Sequence, residues 1–116
     1  MSNYAEFNEL TFFAQVKKRP GMFFGRKSLT SLRDQLFGMI YAFSACGHSD
    51  ALVLFKGFIE YYNSKLFLTD QNGYVCWWNH FLYTSGGMDD LAFDSFYRQF
   101  EAYLLEEHNL KLPEAE

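Results

Sequence analysis

Along most of the chain, apolar residues return every three or four positions, the period of a helix with one buried side. From Glu6 to about Lys18, Phe7, Leu10, Phe13 or Ala14 and Lys17 fall into step, with Asn3 or Asn8 placed to cap. Arg19-Pro20 ends that segment, because the residue before proline is pushed out of the α region. A second segment opens at Ser28 as N-cap and runs through Leu29, Leu32, Leu36, Met39 or Ile40, Phe43 and Cys46 to a stop at Gly47. A third, capped by Asp50, carries Leu54, Phe55, Phe58, Ile59 and Tyr62 to about Lys65.

Beyond Lys65 the DQNG at Asp70 to Gly73 is turn-like, and Phe67-Leu68 reads as a helix end or a short extended piece. The stretch YVCWWNHFLYTS is aromatic on nearly every side and ends at Gly86-Gly87, which suits a buried helix, with a buried strand as the rival. The fifth segment starts at Asp89 or Asp90 and stops near Asn109. Its stripe is Leu91, Phe93, Phe96, Phe100, Tyr103 and Leu104, with Asp94, Arg98, Glu101, Glu106 and Glu107 largely on the other faces. Five such helices with short connections predict an all-α, single-domain bundle over residues 1–116, without repeats.

Composition sharpens this picture. Phe, Tyr and Trp make up 21% of the 116 residues. Each ring buries on the order of 150–250 Å², so a core needs neither metal nor disulfide. Cys46 and Cys76 sit in apolar patterns without a CxxC or a Cys/His pair, so they are expected to pack as small, reduced hydrophobes. No basic-then-apolar leader and no membrane-length apolar run is visible, which gives a cytoplasmic expectation. The net charge of −4 is divided unevenly: residues 1–58 carry +3 and residues 59–116 carry −7. A one-signed second half suits a basic partner.

The basic cluster lies at the first connector, KKRPGMFFGRKSL, which holds five of the ten Lys and Arg residues. A phosphate-binding Walker loop needs GxxxxGK followed by Ser or Thr, and the Gly21 to Gly25 interval is wrong for it. The local reading is architectural. Pro20 fixes φ after Arg19, Gly21 and Gly25 permit reversals, Met22, Phe23 and Phe24 tuck inward as a plug, and Ser28 begins the next helix. An acidic chain with so small a basic face makes nucleic-acid binding the lesser reading of these cations.

Candidate chemistry elsewhere is sparse. His48, His80 and His108 stand on different segments without HxxxH or HExxH spacing, so no metal or other cofactor is expected. No GxSxG elbow or family-specific cysteine signature is present, and no catalytic residue is assigned. The alternative to a binding protein is a small enzyme or ligand-binding domain with a pocket near Trp77, Trp78 and His80. A homo-oligomeric module built on exposed Tyr61, Tyr62 and Phe67 is a third reading.

Two resemblances bear on function. Lys18 to Gly25, KRPGMFFG, resembles the KRPGMYIG near the start of the ATPase region of DNA gyrase B subunits and related type II topoisomerases. That family then carries a helix with a Glu and an Asn for water and magnesium, and later a DxGxG loop. Here the following helix, LRDQLFGMIYAFSACG, has only Asp34 as an acid, and DxGxG is missing, so ATPase activity is not expected.

The second resemblance spans about 80 residues. It covers the order Arg-Pro-Gly-Met-Phe-x-Gly-x-x-Ser-Leu-x-x-Leu from Arg19 to Leu32, an aromatic helix with Gly38 and Tyr41, a central tryptophan, and AFDSFYRQFEAYL from Ala92. It is similar to a set of small bacterial proteins, some of which resemble immunity proteins of polymorphic toxin systems. That resemblance implies a non-catalytic protein that masks a partner, such as a basic toxin domain. The expected contact face is Asp89, Asp90, Asp94, Glu101 and Glu106, with Tyr97 and Tyr103 as aromatic anchors.

Overall fold

Asn8 accepts the amide of Thr11 at 2.9 Å and starts the first helix, and Ser28 does the same for the amide of Ser31 at 3.0 Å at the start of the third. The computed structural model describes residues 7–65 and 77–115. Among them every regular element is a helix: α1 (Glu9–Lys18), α2 (Pro20–Phe24), α3 (Leu29–Ala45), α4 (Val53–Lys65), α5 (Trp77–Thr84) and α6 (Asp89–His108). The all-α class holds, with six helices where five are expected.

The additional helix is the connector. Pro20 occupies the first turn of α2, where a missing N–H costs nothing, and Gly25 ends it in the left-handed region at φ 77°. This one-turn helix carries Met22 and Phe23 outward, so the inward plug expected there does not form. Met22 is 76% exposed, and of the three apolar residues only Phe24 packs partly against the core. Gly47, Gly86 and Gly87 take positive φ at the helix ends, and Asn109 does so after α6. Helix α5 follows the helical reading of its segment from Trp77 onward and not the strand, while Phe67, Leu68, the DQNG turn and Cys76 lie outside the described residues.

Helix α6 is the central element and packs against α3, α4 and α5. Its buried residues, Phe93, Phe96, Tyr97, Phe100, Tyr103 and Leu104, meet rings from the other helices. Phe96 stacks on Phe100 at 5.6 Å and meets Phe58 and Phe81 edge-on at 5.7 and 5.8 Å. Phe13 of α1 lies 4.8 Å from Phe100, and Trp77 of α5 lies 5.4 Å from Phe96. Offset and edge-on ring contacts of this kind add to the burial itself. Leu91, expected on the stripe, is instead exposed.

Two helix starts are capped from elsewhere in the fold. Helix α4 is not capped by the side chain of Asp50. Glu9 of α1 reaches across and accepts the amides of Leu54 at 3.0 Å and Phe55 at 2.6 Å. Asp89, in the first turn of α6, serves α3 in the same way. It accepts the Thr30 amide at 3.0 Å, the Thr30 hydroxyl at 2.9 Å and the Ser28 hydroxyl at 2.5 Å. These carboxylates satisfy first-turn amides that have no partner within their own helices. No helix among the described residues is long and apolar enough to cross a membrane.

Candidate binding surface

The residues expected to form one acidic, aromatic face are dispersed by the fold. Tyr97 is 2% exposed and donates to the Phe13 carbonyl at 2.7 Å, with its ring against Phe93 and Phe96. Burial, followed by the nearby Glu101 charge, pushes its phenol well above the ordinary tyrosine range. Tyr103 is buried too. Its ring rests on Phe58 and Tyr61, and its hydroxyl shares a 3.0 Å hydrogen bond with His108 Nε2. Neither ring is available as an anchor, because both complete the apolar stripe of α6.

The acids have separate destinations. Asp89 is occupied by α3. Burial alone would raise its carboxyl, but hydrogen bonds from Ser28, Thr30 and the Leu29 amide outweigh that and hold it below its ordinary value. Asp94 pairs with Lys27 at 2.8 Å and Glu101 with Lys17 at 2.5 Å. The basic connector thus folds against the acids of α6, and a groove of about 510 Å³ remains between them, lined by Lys17, Lys27, Phe93, Asp94, Tyr97, Arg98 and Glu101. Exposed pairs such as these contribute little to stability, about 0–1 kcal/mol each, but they neutralise the face. Asp90 and Glu106 remain exposed.

The rings around Trp77 pack on one another. Trp77 is buried, edge-on to Phe55 at 5.5 Å, and Tyr62 stacks on Phe81 at 4.7 Å. The Tyr62 hydroxyl lies 2.6 Å from His80 Nδ1, and burial raises the phenol to about 12. Trp78 is half-buried between Phe37 at 5.3 Å and the Arg33 guanidinium at 5.0 Å. Tyr62 is buried and Tyr61 half-buried on Tyr103, so the exposed tyrosine pair expected of an oligomeric module is not formed, and Phe67 lies outside the described residues. Among the described residues no three His, Cys, Asp or Glu side chains cluster as a metal site.

The surface that remains lies on α3. Its first half is conventional, with Leu29, Leu32 and Leu36 fully buried. From Gln35 to Gly47 the chain has no charged residue, yet no residue from Phe37 to Gly47 is buried. Met39, Ile40 and Phe43 lean partly on the core, Phe43 against Phe7 at 4.9 Å. Gly38, Tyr41, Ala42 and Ala45 share the opposite, outward stripe at steps of three and four, and Phe37 borders it. Tyr41 is 79% exposed and Phe37 47%. Cys46, expected on the core side, is exposed at the C-cap of α3.

A helix that is apolar on all sides is normally buried on all sides, and the uncharged second half of α3 is covered on one only. The sequence carried a signal for this: Gly38, Tyr41, Ala42 and Ala45 form a second apolar stripe beside the core stripe. The chain matches no protein-family model, no curated protein and no solved structure.

Proposed function

We propose that this chain is a non-catalytic binding protein of the immunity type, acting in the cytoplasm, which inhibits a partner protein by covering it with the outer side of α3. The reading rests on one observation: the charge-free stretch Gln35–Gly47 is helical to Ala45 and presents Phe37 and Tyr41 to solvent. Aromatic rings on an uncharged patch are what well-packed interface centres use. The titratable groups argue the same way. Glu9, Asp89, Tyr62 and Tyr97 are engaged in bonds between helices and Tyr103 in a bond to His108 within α6, and a group so engaged is poorly placed to exchange protons with a substrate.

The acidic residues keep a role at longer range. With a net charge of −4 and exposed Asp90 and Glu106, the chain attracts a basic partner and speeds its approach, while the contact itself is made by α3. Co-expression with the product of the neighbouring reading frame tests the reading. The two proteins are expected to co-purify and the partner's activity to be suppressed, and Tyr41→Glu is expected to weaken both at least tenfold. Turnover of a nucleotide or small metabolite by the chain, without tight binding of any macromolecule, would contradict it.

A further inference from the structure

We infer that the connector helix α2 is a membrane-contact tip: Met22 and Phe23 enter the interface of an anionic bilayer while Lys18, Arg19 and Arg26 hold its phosphate headgroups. The contact uses none of the α3 residues and stands apart from the proposed inhibitory face.

Charge is concentrated at this point of the chain. Between Glu9 and Asp34 there are six Lys and Arg residues and no acid, so a molecule of net charge −4 carries −10 over its other residues. Lys17 and Lys27 are matched by Glu101 and Asp94, and Arg33 by Asp34. The three exposed cations beside α2 are not. Lys18 donates to a neutral acceptor, the Ala115 carbonyl at 2.7 Å, and among the described residues Arg19 and Arg26 meet no carboxylate. An anionic lipid surface supplies the counter-charge they lack and turns the acidic remainder of the molecule away.

Shape fits a surface that yields. Helix α2 packs chiefly on α1, and a Cβ built on Gly21 or Gly25 would meet nothing within 4 Å, so the turn projects. Met22 is 76% exposed and Phe23 42%, with the Phe12 ring beside Phe23 at 6.4 Å. Pro20 has no N–H to desolvate, and the amides of Met22 and Gly25 donate to the Arg19 and Gly21 carbonyls at 3.1 and 2.8 Å. The turn therefore enters the interface with little bare backbone, which an apolar medium penalises. Arginine stems lie along the acyl boundary while their heads stay with the phosphates.

Single-stranded nucleic acid fits these groups less well. Such strands are held in a cationic groove that follows the backbone, with bases stacked on flat rings. Here the most exposed apolar side chain of the connector is a thioether, the free cations surround a tip, and the adjoining groove is lined by Asp94 and Glu101 as well as by lysines. Two apolar side chains and three cations make a light anchor, so attachment is weak and reversible.

Co-sedimentation of the full chain with lipid vesicles at low ionic strength is the test. Vesicles of equal parts phosphatidylglycerol and phosphatidylcholine are expected to carry the protein down, phosphatidylcholine alone is not, and added salt should release it. Met22→Ser and the double variant Arg19→Gln/Arg26→Gln should each lower the partition by about fivefold or more. All three positions are exposed, so circular dichroism should match the wild type. Tyr41→Ser and Lys65→Gln, equivalent losses on α3 and α4, should pellet as the wild type does. No binding to the anionic vesicles overturns the inference, as does binding that the α2 variants leave unchanged. Retention of a polyuridine oligomer through Arg19 and Arg26, without vesicle binding, overturns it in favour of nucleic acid.

Discussion

Gly57 of α4 lies so close under Tyr103 of α6 that a Cβ built on it would stand 2.6 Å from the phenolic oxygen. The hydroxyl cannot retreat cheaply, because Tyr103 is buried between Phe58 and Tyr61 and bonded to His108. Alanine in place of glycine inside a helix would otherwise stabilise by about 1 kcal/mol. Gly57→Ala should therefore destabilise the protein by a net ~1–2 kcal/mol, a typical overpacking loss. In a Tyr103→Phe background the nearest ring atom is Cζ at 3.7 Å, an ordinary contact, and the same substitution should stabilise. Urea midpoints at constant m measure both, and the sign reversal is the result to look for.

Glu9 and Asp89 perform one task with opposite pH signatures. Burial pushes Glu9 above its ordinary 4.5, despite lowering by the Phe55 and Leu54 amides and Lys56. A carboxyl raised on folding favours the folded state while it is protonated, and that contribution is lost as pH rises through the folded value. Relative to Glu9→Gln, the wild type should lose stability as pH rises upward from 4.5. Glu9→Ala, which leaves the Leu54 and Phe55 amides without their acceptor, should cost ~1–2 kcal/mol at any pH.

Asp89 is held below its ordinary 3.8, so its contribution is present above that value and lost as pH falls through the folded one. Relative to Asp89→Asn, the wild type should lose stability as pH is lowered below 3.8. Asp89→Ala should cost ~1–2 kcal/mol near neutrality through the α3 cap. Parallel denaturation series of the two asparagine and glutamine variants, slopes compared, check both signs.

Tyr97→Phe separates structure from recognition. Loss of the hydroxyl leaves the Phe13 carbonyl without that donor and should cost ~1 kcal/mol in unfolding free energy. Affinity for a partner should not change, since the ring is buried.

Much of this fold was legible. The Ser28 cap, the glycine stops and the apolar stripes give five of the six helices to within a few residues. The tertiary caps were not, because nothing local to Glu9 or Asp89 says which amides they will meet. The position of Tyr97 could have been read: Phe93, Tyr97, Phe100 and Leu104 continue one helical stripe, and a buried tyrosine needs only one acceptor for its hydroxyl. Asp94 and Glu101 were harder, because Lys17 and Lys27 reach them only once α1 and the connector lie along α6. The second stripe of α3 was present in the sequence, but period alone does not say which side of an apolar helix stays uncovered.

The most direct test of the account is the affinity of the neighbouring gene product for three forms of this chain, measured by calorimetry: the wild type, Tyr41→Glu, and the doubly neutralised Asp90→Asn/Glu106→Gln. If α3 makes the contact and the acids only steer, Tyr41→Glu loses at least tenfold in affinity, while the double variant changes mainly the association rate and its salt dependence. Full affinity in Tyr41→Glu together with lost affinity in the double variant would return the binding face to α6 and contradict the account.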